Sequence, residues 1–176
     1  SMVPTVVTVS DAERAAGCLH PASIAIAAEA LRVDGFVVIE RAMEPALLSR
    51  LAERMAADLP RAVAEAEALW GGAAHNFVWG NVQQGPVLAL PGFCNAEVIA
   101  NPWALQLLAE VMRRRPGQGL SGPGFSSGVS GNTNLGLGSR TQPVHRDAAH
   151  DTPPFTGFVL NYPLSDVDEA NGAIEI

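Results

Sequence analysis

The segment with the clearest chemical signal is residues 142–147, which reads Gln-Pro-Val-His-Arg-Asp. Alternate side chains of a β-strand point to the same side, so a strand here would place His145 and Asp147 together and Arg146 opposite them. An imidazole and a carboxylate in this arrangement are two of the three ligands of the 2-His-1-carboxylate site that holds Fe(II). The same pattern arises by chance, and a surface histidine paired with a nearby carboxylate is the alternative interpretation.

Composition excludes several other kinds of function. The chain carries 18 acidic and 11 basic residues, a net charge of −7, which argues against nucleic acid or an anionic membrane as its partner. All 11 basic residues are arginine, so this sequence has no lysine for a Schiff base, a Walker phosphate loop or a kinase site. No apolar run approaches the roughly 18 residues that a membrane-spanning helix needs.

The two cysteines, Cys18 and Cys94, lie far apart and match neither a CxxC motif nor a zinc-binding spacing. We interpret both as buried, reduced thiols, which are typical of proteins in reducing compartments. The start of the chain also lacks the basic-then-apolar order of a secretory signal. These features together predict a cytoplasmic protein.

The elements that would have to position residues 142–147 begin with helices. Residues 21–33 are rich in alanine and precede Asp34-Gly35, a signal for the C-terminus of a helix. A second helix is predicted to start at Pro45, to be interrupted at Pro60 and to resume as far as Leu69. Its apolar stripe is interpreted as core packing and consists of Leu47, Leu48, Leu51 and Met55.

A third helix is predicted to start at Asn101-Pro102 and to carry Leu105, Leu108 and Met112 on one face. Runs of β-branched and aromatic residues then predict short strands, at residues 36–39, 142–145, 158–162 and 172–176. Helices followed by short strands predict an α+β fold whose strands form a sandwich or a barrel.

Three blocks of sequence, in this order, resemble the phytanoyl-CoA dioxygenase family. The first is residues 31–39 (LRVDGFVVI), which lead into a proline-started amphipathic helix. The second joins residues 132–135 (NTNL) to residues 142–147 (QPVHRD) and resembles the metal-binding strand of that family. The third, residues 161–166 (NYPLSD) with residues 169–173 (EANGA), resembles the hairpin that follows.

The resemblance implies an oxidoreductase, an Fe(II)- and 2-oxoglutarate-dependent dioxygenase that uses O2 to hydroxylate a small organic substrate. It implies a double-stranded β-helix, which is a jelly-roll-like core, with the N-terminal helices packed on it. His145 and Asp147 correspond to two iron ligands, and Gln142 and Asn161 to positions that contact 2-oxoglutarate. The alternative for Gln142 is a strand-edge amide bonded to the backbone. A carboxylate at Asp147 is typical of hydroxylases, because the related halogenases have a small residue there.

The resemblance further implies a second histidine ligand and an arginine that binds the far carboxylate of 2-oxoglutarate. Neither follows the Asn171-Gly172 turn in this sequence. We therefore expect residues 3–176 to be a single oxygenase domain that continues beyond Ile176, with residues 1–2 as an expression remnant.

Three further residues are candidates for contact with a small-molecule substrate. His75 and Trp79 lie in a glycine-led loop, for which the alternative is a lid that packs its aromatic side chains on the sheet. His150 lies beside Asp151 and a Pro-Pro pair, in a loop where it either faces solvent or lines the substrate side. The oligomeric state and the identity of the substrate are not predicted.

Two other functions compatible with the sequence remain open. One is a non-catalytic homologue that acts as a small-molecule binding module, since the second histidine and the arginine are not present. The other is a cupin-like metalloenzyme that does not use 2-oxoglutarate. A histidine followed by an arginine beyond Ile176 would favour the oxygenase over both.

Overall fold

The structure is a computed structural model, which describes residues 3–70, 74–75, 78–84, 95–111, 131–136, 138–143, 145 and 158–172. The chain forms two compact units, Ser1–Glu44 with Asn95–Ser127 and Pro45–Cys94 with Gly128–Ile176. Each unit is therefore built from two stretches that are distant in sequence. In chain order the elements are β1 (Val6–Thr8), α1 (Asp11–Ala16), α2 (Pro21–Val33), β2 (Val38–Glu40), α3 (Pro45–Trp70), β3 (Ala74–His75), β4 (Val78–Trp79), β5 (Asn81–Gln83), α4 (Ala96–Ile99), α5 (Pro102–Val111) and β6 (Asn132–Asn134).

In the first unit, α2 begins and ends where the sequence predicts. His20 is its N-cap, and its Nδ1 accepts a hydrogen bond from the Ala22 amide at 3.2 Å. Pro21 occupies the first turn, where a missing N–H leaves no helical bond unmade. Gly35 follows with a φ of +83°, a left-handed conformation that favours glycine. The predicted helix over residues 21–33 is confirmed.

The short helix α1 was not predicted, although its start carries a clear local signal. The Ser10 hydroxyl accepts from the Glu13 amide at 3.2 Å, and the Ser10 amide donates to the Glu13 carboxylate at 2.9 Å. This reciprocal pair is a capping box. Cys18, just beyond α1, is exposed, so the expectation of a buried thiol is wrong for this residue.

A parallel pair of strands, β1 and β2, places Val7 opposite Ile39. The predicted strand at residues 36–39 is shifted to Val38–Glu40, because pairing with β1 sets its limits. Val7 is buried, whereas Val38 is 39% exposed, so the sheet is covered on one face.

The core of the first unit lies between this sheet and two helices. Val7, Ala27, Ala28 and Leu107 form its buried apolar cluster. Asn101 caps α5, because its Oδ1 accepts from the amides of Trp103 and Ala104. The amide nitrogen of the same side chain donates to the Ala42 carbonyl at 3.0 Å.

The buried face of α5 lies about one helical position before the predicted apolar face. Trp103, Ala104 and Leu107 are buried. Leu105 and Leu108 are half-buried, and Met112 lies outside the described residues. The predicted cap at Asn101-Pro102 is confirmed.

In the second unit, α3 is one continuous helix with Pro60 inside it, so the predicted interruption at Pro60 is wrong. A proline in a helix interior costs about 3 kcal/mol, but each buried leucine of the stripe contributes about 1.5–3 kcal/mol. Burial therefore outweighs the local penalty. Pro60 is exposed, which leaves the neighbouring turn open to water. The core role of the stripe is confirmed, since Leu47, Leu51 and Met55 are buried.

Two small antiparallel pairs, β3–β4 and β5–β6, form the sheets of the second unit. Residues 158–162 and the described residues of 142–145 belong to no strand, so these strand predictions are wrong. Pro143 has no N–H for a ladder. Phe158, Val159 and Leu160 are exposed rather than covered by a neighbouring strand. Of the predicted strand at 172–176, only Gly172 is described, and the double-stranded β-helix stays a prediction.

Candidate functional site

The stretch that leads to His145 is held against β5 by main-chain hydrogen bonds. β6 pairs with β5, with Asn134 opposite Asn81. Beyond β6, the Leu135 amide donates to the Gly80 carbonyl at 2.8 Å, and the Arg140 amide donates to the Trp79 carbonyl at 3.0 Å. This pairing fixes the main chain to within a few residues of His145.

His145 is exposed, and its ring nitrogen Nδ1 lies 2.8 Å from the Pro143 carbonyl oxygen. A carbonyl can only accept, so this contact requires the proton on Nδ1. The neutral ring then carries its lone pair on Nε2. Metal-binding histidines usually donate their other ring N–H to a carbonyl or carboxylate in this way.

Trp79 packs against the loop that follows β6. A Cβ atom at Gly138 would lie 3.1 Å from the Trp79 ring, so glycine permits this close approach. The loop also turns at Gly136, where the Ser139 amide donates to the Gly136 carbonyl at 3.0 Å. Trp79 remains 42% exposed and is therefore accessible to a molecule in solution.

The structure describes some of the other predicted site residues and not others. Gln142 is half-buried and Asn161 is exposed. Burial raises the pKa of the phenol of Tyr162, next to Asn161, which therefore stays protonated as a hydrogen-bond donor. His75 lies on β3 by its main chain. Asp147 and His150 lie outside the described residues, so the pairing of His145 with Asp147 stays a prediction.

Two of the three sequence blocks named above meet at Asn134. Its side-chain oxygen accepts from the side-chain nitrogen of Asn81 at 3.2 Å, and its side-chain nitrogen donates to the Asn171 carbonyl at 3.5 Å. Asn171 in turn closes its own loop, because its side-chain nitrogen donates to the Asp166 carbonyl at 2.8 Å. The Asn-Gly turn is thereby attached to β6.

A buried polar cluster lies behind β5 and β6. Gln84 is fully buried, and its side-chain nitrogen donates to the Met55 carbonyl at 2.9 Å and to Asp58 at 3.3 Å. The Thr133 hydroxyl donates to the Gln84 side-chain oxygen. Sequence reasoning missed Gln84 and Thr133. A detectable signal was Asp58, an acidic residue within the apolar stripe of α3.

The charge of Asp58 is compensated within its own helix. Arg61 donates to both carboxylate oxygens, at 2.7 and 2.9 Å. The Arg61 guanidinium holds the pKa of Asp58 below its usual range, with a smaller contribution from the Gln84 amide. Asp58 is therefore ionised at neutral pH, although it is buried.

Within the described ranges, no group of three or more His, Cys, Asp or Glu side chains is arranged to hold a metal ion. The same residues include no helix with both the length and the apolar character needed to cross a membrane. No family model, curated protein or solved structure matches the chain.

Proposed function

We propose that the protein is a non-haem iron oxygenase that couples the oxidative decarboxylation of 2-oxoglutarate to the hydroxylation of a small organic substrate. The observation that carries this proposal is the 2.8 Å contact between Nδ1 of His145 and the Pro143 carbonyl oxygen. The Nδ1–H donates to the Pro143 carbonyl, which leaves Nε2 as the basic nitrogen that iron requires. The histidine of the motif in residues 142–147 thus has the form expected of a ligand.

The proposed ligands also suit the chemistry of iron. An imidazole and a carboxylate, His145 and Asp147, are the donor types found in non-haem Fe(II) oxygenases. Iron held by these two residues would supply the chemistry by which 2-oxoglutarate, O2 and a substrate C–H group give succinate, CO2 and the corresponding alcohol. Each O2 is fully accounted for, with one oxygen atom in succinate and one in the alcohol.

In this proposal, residues of the chain bind and orient 2-oxoglutarate and contact the substrate. Gln142 would donate its side-chain N–H groups to a carboxylate of 2-oxoglutarate, with Asn161 in a similar role. Trp79 offers a half-exposed aromatic face to an apolar part of the substrate.

Succinate formation from 2-oxoglutarate tests this proposal in the full-length protein. We expect succinate only when Fe(II) and O2 are present, and loss of the product in the His145→Ala and Asp147→Ala variants. Fe(II) binding without any use of 2-oxoglutarate would favour the cupin-like alternative. A folded protein that binds neither would favour the non-catalytic binding module.

A further inference from the structure

Gln84 joins three elements of the second unit through one side chain. It follows β5 directly, and it is the largest of the fully buried side chains. Its nitrogen donates to the Met55 carbonyl of α3, and its oxygen accepts from Thr133 of β6. Its main-chain amide donates to the Gly131 carbonyl at 2.6 Å, which extends the pairing of β5 with β6 by one residue.

Gln84 contacts α3 in the stretch that precedes Pro60. Pro60 has no N–H to donate, and its ring crowds the preceding turn of the helix, which contains Met55 and Ala56. Asp58, on the same buried stripe, accepts a second bond from Gln84 at 3.3 Å. A side-chain amide buried here without partners would be costly, so the position of β5 along α3 is specified.

The register set at Gln84 extends along the chain toward His145. From Gly131 to Leu135 the chain runs antiparallel to residues 80–84. After the turn at Gly136, the Arg140 amide donates to the Trp79 carbonyl. A slip of one residue would turn every side chain of β6 to the opposite face. Gln84 resists such a slip, because it binds the hydroxyl of Thr133, which lies opposite Val82 and is the hydroxyl-bearing residue of β6.

We propose that Gln84 is a positioning residue for the iron site, and this inference rests on the proposed function. It holds β6 in register against α3, and so fixes the point from which the chain continues to His145. The precision of a metal site depends on such supporting contacts, whose loss commonly lowers metal affinity by about tenfold or more.

Substitutions at two equally buried residues distinguish a positioning role of Gln84 from a general effect on stability. Gln84→Met keeps the length of the side chain but removes its hydrogen bonds. Asn101→Ala removes another buried amide, which is 1% exposed and lies in the first unit. Both are expected to lower the thermal stability of the full-length protein.

Only Gln84→Met is expected to change the site. Two measurements test this, under conditions in which each variant is fully folded. Hydrogen exchange of the Leu135 and Arg140 amides should become about tenfold faster, since their pairing loses its anchor. The Kd for Fe(II), titrated without oxygen, should rise about tenfold. Thr133→Val should act in the same direction, whereas Thr133→Ser, which keeps the hydroxyl, should resemble the wild type.

Unchanged exchange and unchanged Fe(II) affinity in Gln84→Met and Thr133→Val would overturn the inference. Equal effects in Asn101→Ala would also overturn it, because they would show a general loss of stability. A wild-type protein that bound no Fe(II) would refute the proposed function and the positioning of an iron site. In that case the exchange measurement would still decide whether Gln84 holds β6 in register.

Discussion

Gly172 lies directly against the side chain of Asn134, so close that a Cβ atom at residue 172 would collide with the Asn134 side-chain nitrogen. That nitrogen donates to the carbonyl of Asn171, the residue just before Gly172. Gly172 also has a φ of +110°, a conformation that other residues rarely adopt. Two independent requirements, space and backbone geometry, therefore select glycine at the Asn-Gly turn.

The variant Gly172→Ala is expected to lower the free energy of unfolding by about 1–3 kcal/mol, as is typical of backbone strain. Gly136→Ala is the matched control, because Gly136 has a φ of +89° and a Cβ atom added there would meet nothing within 4 Å. It carries the conformational penalty without the collision. Urea denaturation of both variants measures the difference, and equal losses would show that contact with Asn134 does not matter.

Acid should destabilise the first unit through Glu13. The Ser10 hydroxyl, followed by the amides of His20 and Ser10 and the Ser23 hydroxyl, lowers the pKa of Glu13 to about 2. A carboxyl whose pKa is lower in the folded state contributes stability above its unfolded value of 4.5, and that contribution is lost as the pH falls toward 2.

Thermal unfolding measured from about pH 6, above the unfolded pKa of 4.5, down to the folded pKa of about 2 gives this contribution. We expect Glu13→Gln to be less stable than the wild type at the upper end and to lose less stability on acidification. Ser10→Ala, which removes the largest cause of the shift, should show part of the same change. Parallel pH profiles for the wild type and Glu13→Gln would contradict the assignment.

Pro60 is expected to destabilise α3 locally, even though the helix continues through it. Pro60→Ala should raise the free energy of unfolding by up to about 3 kcal/mol, because alanine restores the N–H and removes the ring. Ala57→Pro, at another exposed position of the same helix, should lower it by a similar amount. Chemical denaturation measures the free energy of unfolding of each variant. A Pro60→Ala protein less stable than the wild type would show that the proline is needed for the fold.

Local signals predicted α2 and the start of α5, and non-local contacts explain the errors at β2 and α3, whereas α1 was missed despite its local capping box. The limits of α2 follow from His20, Pro21 and Gly35, which act on their own neighbours along the chain. The limits of β2 depend on β1, and the continuity of α3 depends on burial against the rest of its unit. Neither can be deduced from the residues of the element itself.

The candidate site shows the same division between local and distant information. His145 was identified from its own motif, and its contact with Pro143 spans two residues of sequence. Gln84 could not be identified in this way, since its partners Asp58 and Thr133 are separated from it by 26 and 49 residues. Only the fold brings these three side chains together.

A substitution at Gln142 tests the proposed binding of 2-oxoglutarate. Gln142→Ala should weaken 2-oxoglutarate binding by about 1–3 kcal/mol, the cost of losing a charge-assisted hydrogen bond. Gln83→Ala, an exposed glutamine of β5, is the control and should bind as the wild type does. Calorimetric titration of 2-oxoglutarate into the Fe(II)-loaded protein measures both, and an unchanged affinity in Gln142→Ala would return this residue to a structural role.

Anaerobic titration of Fe(II) into the full-length protein tests whether His145 and Asp147 bind iron. His20 is the control histidine, because it is exposed and caps α2 in the first unit. We expect one tightly bound Fe(II) per chain in the wild type and in His20→Ala, and none in His145→Ala or Asp147→Ala. Wild-type binding retained in both His145→Ala and Asp147→Ala would contradict this expectation.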